Sequence, residues 1–227
     1  MTQSLPLAIV AGAGSGLGEV LLQHFKNHGY QVVGLNRSSS ANTAFDIRVV
    51  DLTDEAATND VITTLINEYG IPKVVIHNTA QLIIKPLTDT MTDDFEACWR
   101  SMALSAFVLA KSLMQPMSDN GGGTFIISGA TASLRGSAKF SAFSSAKFAL
   151  RGLTQSLARE YQPQGVHVVH SILDGIIDTE NSRSLHSMDP NKMMKPEDIA
   201  EVYFSLCLQP KSTWTHECDL RPFDGNF

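Results

Sequence analysis

The sequence predicts an α/β fold: a Rossmann-type doubly wound, mostly parallel seven-stranded sheet with helices on both faces, three layers in all. Three observations carry this expectation. Short apolar runs alternate with longer segments of helical spacing along the whole chain, the pattern of repeated strand–helix units. The runs are apolar at consecutive positions, as strands covered on both faces must be. No proline- or serine-rich linker divides the 227 residues, so a single domain over 1–227 is expected.

The first run, Leu7–Ala11, is a buried strand ending in glycines. Gly16 to Asn27 places Leu17, Val20, Leu21, Leu22 and Phe25 at helical spacing. Gln31–Leu35 and Ile47–Val50 are the second and third strands. A Thr-Asp cap opens a helix over Asp54 to Tyr69, with Val61, Leu65 and Ile66 inward. Lys73–His77 is the fourth strand. Thr92 to Ser118 holds one or two helices, stopped by Asp119-Asn120-Gly121-Gly122-Gly123. Thr124–Ser128, the helix Ser141 to Tyr161, Val166–Leu173, the helix Pro196 to Leu208 and a closing strand near Glu217–Leu220 complete the pattern. The stretch 178–195 is the least regular, polar and broken by Pro190. It reads either as a mobile flap over the strand ends, with Met193–Met194 at its tip, or as an ordinary surface loop.

Composition narrows the function. Charged residues make up 18% and the formal net charge is −6, which argues against nucleic acid. No run approaches the length a membrane helix needs, so no membrane partner is expected. Met1 to Pro6 carries no basic segment ahead of a leader-type apolar run. Cys98, Cys207 and Cys218 are widely spaced and fit no metal-ligand pattern, so no metal is expected and a reducing, cytoplasmic setting is.

The first strand runs into Gly12-Ala13-Gly14-Ser15-Gly16-Leu17-Gly18. Glycines between a strand and a helix let backbone N–H groups approach a pyrophosphate at the helix N-terminus. The spacing is G-x-x-x-G-x-G at Gly12, Gly16 and Gly18, not G-x-G-x-x-G, because position 17 is Leu17. A dinucleotide is the expected ligand. A protein preferring NAD usually carries Asp or Glu at the end of the second strand, to hold the ribose 2′-hydroxyl. Here Asn36-Arg37-Ser38-Ser39-Ser40 stands there. An Arg fork and hydroxyls suit a 2′-phosphate, so NADP(H) is preferred over NAD(H).

These features, in this order, resemble the short-chain dehydrogenase/reductase family over essentially the whole chain. The glycine turn opens the chain. Asp51-Leu52-Thr53 stands where the family has an Asp that contacts adenine, and His77-Asn78-Thr79-Ala80 where it has Asn-Asn-Ala-Gly. Phe143-Ser144-Ser145-Ala146-Lys147 stands at Tyr-x-x-x-Lys. Asp174-Gly175, followed by Ile177 and Thr179, stands at Pro-Gly and the Thr that bonds the nicotinamide amide. The resemblance implies a homodimer or homotetramer, built on the helices at Met102–Met117 and Ser141–Tyr161. It also implies a catalytic tetrad of Asn, Ser, Tyr and Lys. Mapped onto this chain, Tyr becomes Phe143, Ser becomes Ala130 and Asn becomes Met102; only Lys147 is kept. That pattern looks like a divergent subgroup with Phe for the tyrosine.

Read without the resemblance, Phe143 and Lys147 share a helix face as i and i+4, and Phe143 is a core residue. Read with it, Phe143 floors the nicotinamide pocket but has no proton to give. Thr131, Ser128, Ser133 and Ser144 offer hydroxyls nearby that orient better than they protonate. His167 and His170 lie on a buried strand and read as satisfied core histidines; His77 packs near the cofactor. Trp214 to Phe227 is aromatic for a tail and is expected to close the pocket or cross to another subunit. Two readings follow. One is an NADP(H)-dependent oxidoreductase acting on a small-molecule carbonyl, imine or activated alkene without the usual proton relay. The other is a catalytically silent nucleotide-binding sensor or partner subunit.

Overall fold

A computed structural model describes residues 5–39 and 44–225; Ser40, Met1 to Ser4 and the last two residues of the aromatic tail lie outside the described residues. Seven parallel strands form one sheet in the order β3-β2-β1-β4-β5-β6-β7. They are β1 (Leu7–Ala11), β2 (Gln31–Asn36), β3 (Asp46–Val49), β4 (Val74–His77), β5 (Gly123–Ser128), β6 (Val166–Leu173) and β7 (Glu217–Leu220). Strand order reverses beside β1, which pairs with β2 on one side and β4 on the other. A crevice therefore opens at the carboxyl ends of β1 and β4, around Ala11 and His77.

The inner strands feed two cores, which is why their sequences are largely apolar at consecutive positions; the edge strands β3 and β7 carry Asp46, Arg48, Glu217 and Asp219 and are only partly buried. On β1, Leu7, Ile9 and Ala11 enter the core on one face, and Ala8 and Val10 enter the other. The first core is closed by α2 (Glu55–Tyr69), α4 (Ser105–Asp119) and α5 (Ser141–Tyr161). The second is closed by α1 (Leu17–Asn27) and α7 (Pro196–Cys207). Leu21, Leu22 and Phe25 of α1 and Tyr203 of α7 are fully buried, each worth about 1.5–3 kcal/mol in area removed from water. Asp54 caps α2 by accepting the Ala57 N–H at 3.0 Å.

The segment expected to hold one or two helices holds two. α3 (Thr92–Trp99) joins α4 through a π-helical turn at Arg100–Leu104. The stretch 178–195 also departs from expectation. It contains a short helix, α6 (Glu180–Leu185), and its two ends are zipped together. Ile177 pairs with Met194, and the Asp178 N–H donates to the Met194 carbonyl at 2.8 Å. The buried Asp178 carboxylate accepts from Arg183 at 2.5 and 2.9 Å and from the Lys195 ammonium at 2.6 Å. Met193 and Met194 are therefore not the tip: they are 4% and 8% exposed at the base, where their apolar chains are covered. The polar residues around Leu185–Asp189 form the outer end. The described part of the tail does not close the crevice: Trp214 stacks on His167 at 4.7 Å and Phe223 is fully exposed. Among the described residues, no helix is long and apolar enough to cross a membrane.

Candidate active site

Two cavities lie along the carboxyl ends of the strands, of about 540 and 590 Å³. Ala80, just after β4, lines both, so they form one cleft across the switch point.

The glycine turn forms its waist. Gly12 has φ +82°, and a Cβ there would sit 2.8 Å from the Asn78 carbonyl. Gly18 lies so close under the turn that a Cβ would collide with the Gly12 carbonyl. Both positions exclude side chains, for backbone conformation at one and helix–turn contact at the other. Gly14 differs: a Cβ there would meet nothing within 4 Å. No side chain caps α1; the Glu19 and Val20 N–H groups bond the Gly14 and Gly16 carbonyls at 3.1 and 3.2 Å, which leaves the N–H groups of Leu17 and Gly18 as the helix-start donors beside the turn. Backbone donors beside open space at a helix N-terminus fit a pyrophosphate.

The first cavity takes Asn36, Arg37 and Ser38 from the end of β2 and Asp51 and Leu52 from beyond β3. Thr79 is also on its wall; its hydroxyl donates to the Ser101 carbonyl at 2.6 Å. Asp51 is the only acid among the described lining residues. Its Oδ1 accepts from the Thr53 N–H at 2.9 Å and hydroxyl at 2.8 Å. These bonds, with Arg37 and Arg100 nearby, hold its carboxyl below the usual range. Arg100 brings a second guanidinium to this cavity.

The second cavity is floored by α5. Lys147 is buried, and its ammonium donates to the Ser128 carbonyl at 2.8 Å and lies 5.7 Å from the Phe143 ring centre. Phe143 packs edge-on against Phe140 at 6.3 Å. Burial pushes the Lys147 ammonium down to about 8. Burial, then the positive charge of Lys147, push His77 down to about 3 and His170 to about 4. Both imidazoles are neutral near pH 7 and cannot act there as cationic acids.

Leu17, Asn78, Ala130, Thr131, Gly175, Ile177 and Thr179 join Phe143 and Lys147 on this cavity, as the sequence places them. Six expectations fall outside the cleft lining. Met102 is fully buried in the first core, because the π-helical turn points it into the sheet-facing side. Asp174 turns its carboxylate to the Thr131 hydroxyl and to Arg221. His77 sits behind the cleft, its Nε2 at 2.8 Å from the Ser105 hydroxyl. Ser15 and Gly18 shape the turn without lining either cavity, and Gly16 lies against the Thr179 methyl. His167 is satisfied as expected, at 2.8 Å from the Thr215 carbonyl. His170 is only half satisfied: Nδ1 is 3.3 Å from the Thr154 hydroxyl, while Nε2 lies unpartnered against Gly129. Arg100, Arg135 and His186 line the cleft without having been expected to. Each comes from a segment without a strand-end signal of its own.

Lys147 carries a stability consequence. Its folded pKa, about 8, lies below the ordinary 10.5. Folding is therefore penalised by the charged form below pH 8, and the penalty fades as pH rises toward 10.5. Lys147→Met is expected to stabilise the ligand-free chain at pH 7, by up to about 3 kcal/mol. Urea unfolding at pH 7 and pH 10 checks it: the gain at pH 7 should shrink at pH 10.

The chain is 27% identical over 225 residues to an uncharacterized oxidoreductase of Staphylococcus aureus, covering 95% of this chain and 96% of that one. It is 28% identical over 218 residues to the uncharacterized oxidoreductase YxjF of Bacillus subtilis, covering 90% and 84%. A short-chain dehydrogenase structure from Rhodopseudomonas palustris superposes with a TM-score of 0.81 at 29% identity, covering 96% and 99%. ElxO with NADP bound shares the fold, with a TM-score of 0.85 at 21% identity, covering 96% and 98%. A family model described as short chain dehydrogenase matches residues 6–190, a span that runs from β1 past α6 and contains every lining residue of both cavities. The chain belongs to the short-chain dehydrogenase family.

Proposed function

We propose that this chain is an NADP(H)-dependent oxidoreductase acting on a small carbonyl, imine or activated alkene without the family's Asn/Ser/Tyr proton relay. The observation that carries this reading is the single cleft. The bare glycine turn lies at its waist, two arginines at one end, and Lys147 under the other. The residues fit the group: Gly14 leaves room for a pyrophosphate, and Arg37 and Ser38 stand where a 2′-phosphate would need donors. No carboxylate at the end of β2 opposes that phosphate.

The bound coenzyme supplies hydride chemistry. The chain's own residues supply position. Lys147 offers a buried ammonium to ribose hydroxyls, and Ile177 and Thr179 wall the nicotinamide side. Holding the acceptor in near-attack geometry is itself a large part of the rate. Phe143 fills the place of a tyrosine ring but holds no proton. The Thr131 hydroxyl is already spent on Asp174, so it positions rather than protonates. A neutral or anionic acceptor that takes its proton from water suits such a site best.

We also propose that the chain assembles as a homodimer or homotetramer through α4 and α5, whose Phe107 and Phe148 are 47% and 44% exposed. Sedimentation velocity checks this: two or four chain masses are expected, and a single chain mass contradicts it.

The cofactor reading is tested by titrating NADPH and NADH. NADPH should bind more tightly, and Arg37→Ala should weaken NADPH about tenfold while leaving NADH unchanged. Equal weak binding of both would overturn it. The relay reading is tested by Phe143→Tyr with Ala130→Ser. Asn is left out at position 102, because Met102 is in the core and an amide there would be buried without a partner. The double variant should raise reduction of simple ketones by about 10²-fold or more. A parent that already reduces them as fast would contradict it.

A further inference from the structure

We infer that the second cavity is built for small apolar acids, with the substrate carboxylate received by Arg135 and Ser144. This deepens the proposed function and rests on its placing the nicotinamide beside Ile177 and Thr179. That placement leaves the outer part of the cavity, around Leu82, Ile84 and Phe140, for the substrate.

Charge comes first. Every ionisable side chain among the described lining residues is basic: Arg135, Lys147 and His186. No Asp or Glu is among them. A cationic substrate would meet only like charge here, which is a specificity device in itself. Lys147 is committed to the Ser128 carbonyl at the floor. Arg135 is the cation left at the mouth. Its backbone N–H is fixed to the Thr131 carbonyl at 3.2 Å, and no ion pair holds its guanidinium among the described residues. A free guanidinium fork matches a carboxylate better than it matches a neutral carbonyl.

Ser144 is the second, independent observation. It is 6% exposed and lines the cavity, and its hydroxyl has no hydrogen-bond partner. A buried hydroxyl left unpaired costs stability, and such groups are rare in folded proteins unless something else completes them. The residue after Arg135 stands over it: a Cβ at Gly136 would lie 3.9 Å from the Ser144 hydroxyl. Arg135 and Ser144 thus line the same cavity, with the loop that carries Arg135 passing beside the hydroxyl. Apolar side chains make up most of the rest, so the body of the ligand is aryl or branched alkyl. A neutral apolar molecule would fill the cavity and leave Ser144 and Arg135 unanswered.

The test is calorimetric titration of phenylpyruvate and cinnamate against their methyl esters, on the full chain saturated with NADP+ and again without it. The acids should bind about tenfold or more tightly than the esters. Arg135→Gln should erase that preference, and Ser144→Ala should weaken the acids severalfold. Lys139→Gln removes an exposed lysine of the same loop that does not line the cavity, and should leave the preference intact. Equal binding of acid and ester, or a preference that survives Arg135→Gln, would overturn the inference. So would an equal loss in Lys139→Gln, which would reduce it to general charge attraction. If NADP+ itself fails to bind, the proposed function falls; the acid–ester comparison on the cofactor-free chain still decides this inference separately.

Discussion

A buried ammonium without an anion is the constraint around which the cleft is arranged. Lys147 is 3% exposed, and among the described residues no carboxylate pairs with it. It keeps one strong bond, to the carbonyl at the end of β5, and the face of one aromatic ring. A charge so placed costs free energy; two neighbouring imidazoles are held neutral first by their own burial and then by this charge. The position is set by ordinary packing. Phe143, Leu150 and Thr154 bury the same face of α5 against the sheet, which leaves Lys147 aimed at the strand ends.

In the proposed reading, Phe143 keeps only one of the two properties a tyrosine there would combine. Its ring packs on Phe140 and lies beneath the Lys147 ammonium. A benzyl side chain has no hydroxyl and so no proton to give. The remaining hydroxyls on the wall are either engaged, as Thr131 is with Asp174, or better suited to accept a ligand's charge, as Ser144 is. The wall of this cavity is therefore basic and largely apolar, with no phenol on it.

The architecture and the lining of the first cavity were legible in the sequence because their signals are local. A strand, a glycine turn and a helix adjoin within residues 7–27, and the end of β2 is read from the next few positions. The layering followed from continuous apolar runs. What was not legible depends on which way a side chain turns. Met102 aligns with a polar family position, yet the π-helical turn sends it into the core. Asp174 lies beside the cleft but spends its carboxylate on Thr131 and Arg221. Met193 and Met194 look like an exposed tip until the pairing of Ile177 with Met194 places them at a closed base. Arg100, Arg135 and His186 reach the cleft from three separate segments, and no spacing in the chain announces that convergence.

The most direct measurement is a crystal structure of the chain grown with NADPH. The expected result is one nucleotide along the whole cleft: its adenosine phosphate at Arg37, its pyrophosphate over Gly14, and its nicotinamide ribose within reach of Lys147. A nucleotide bound elsewhere, or a cleft closed by its own side chains with no nucleotide in it, would contradict the role given to that buried charge.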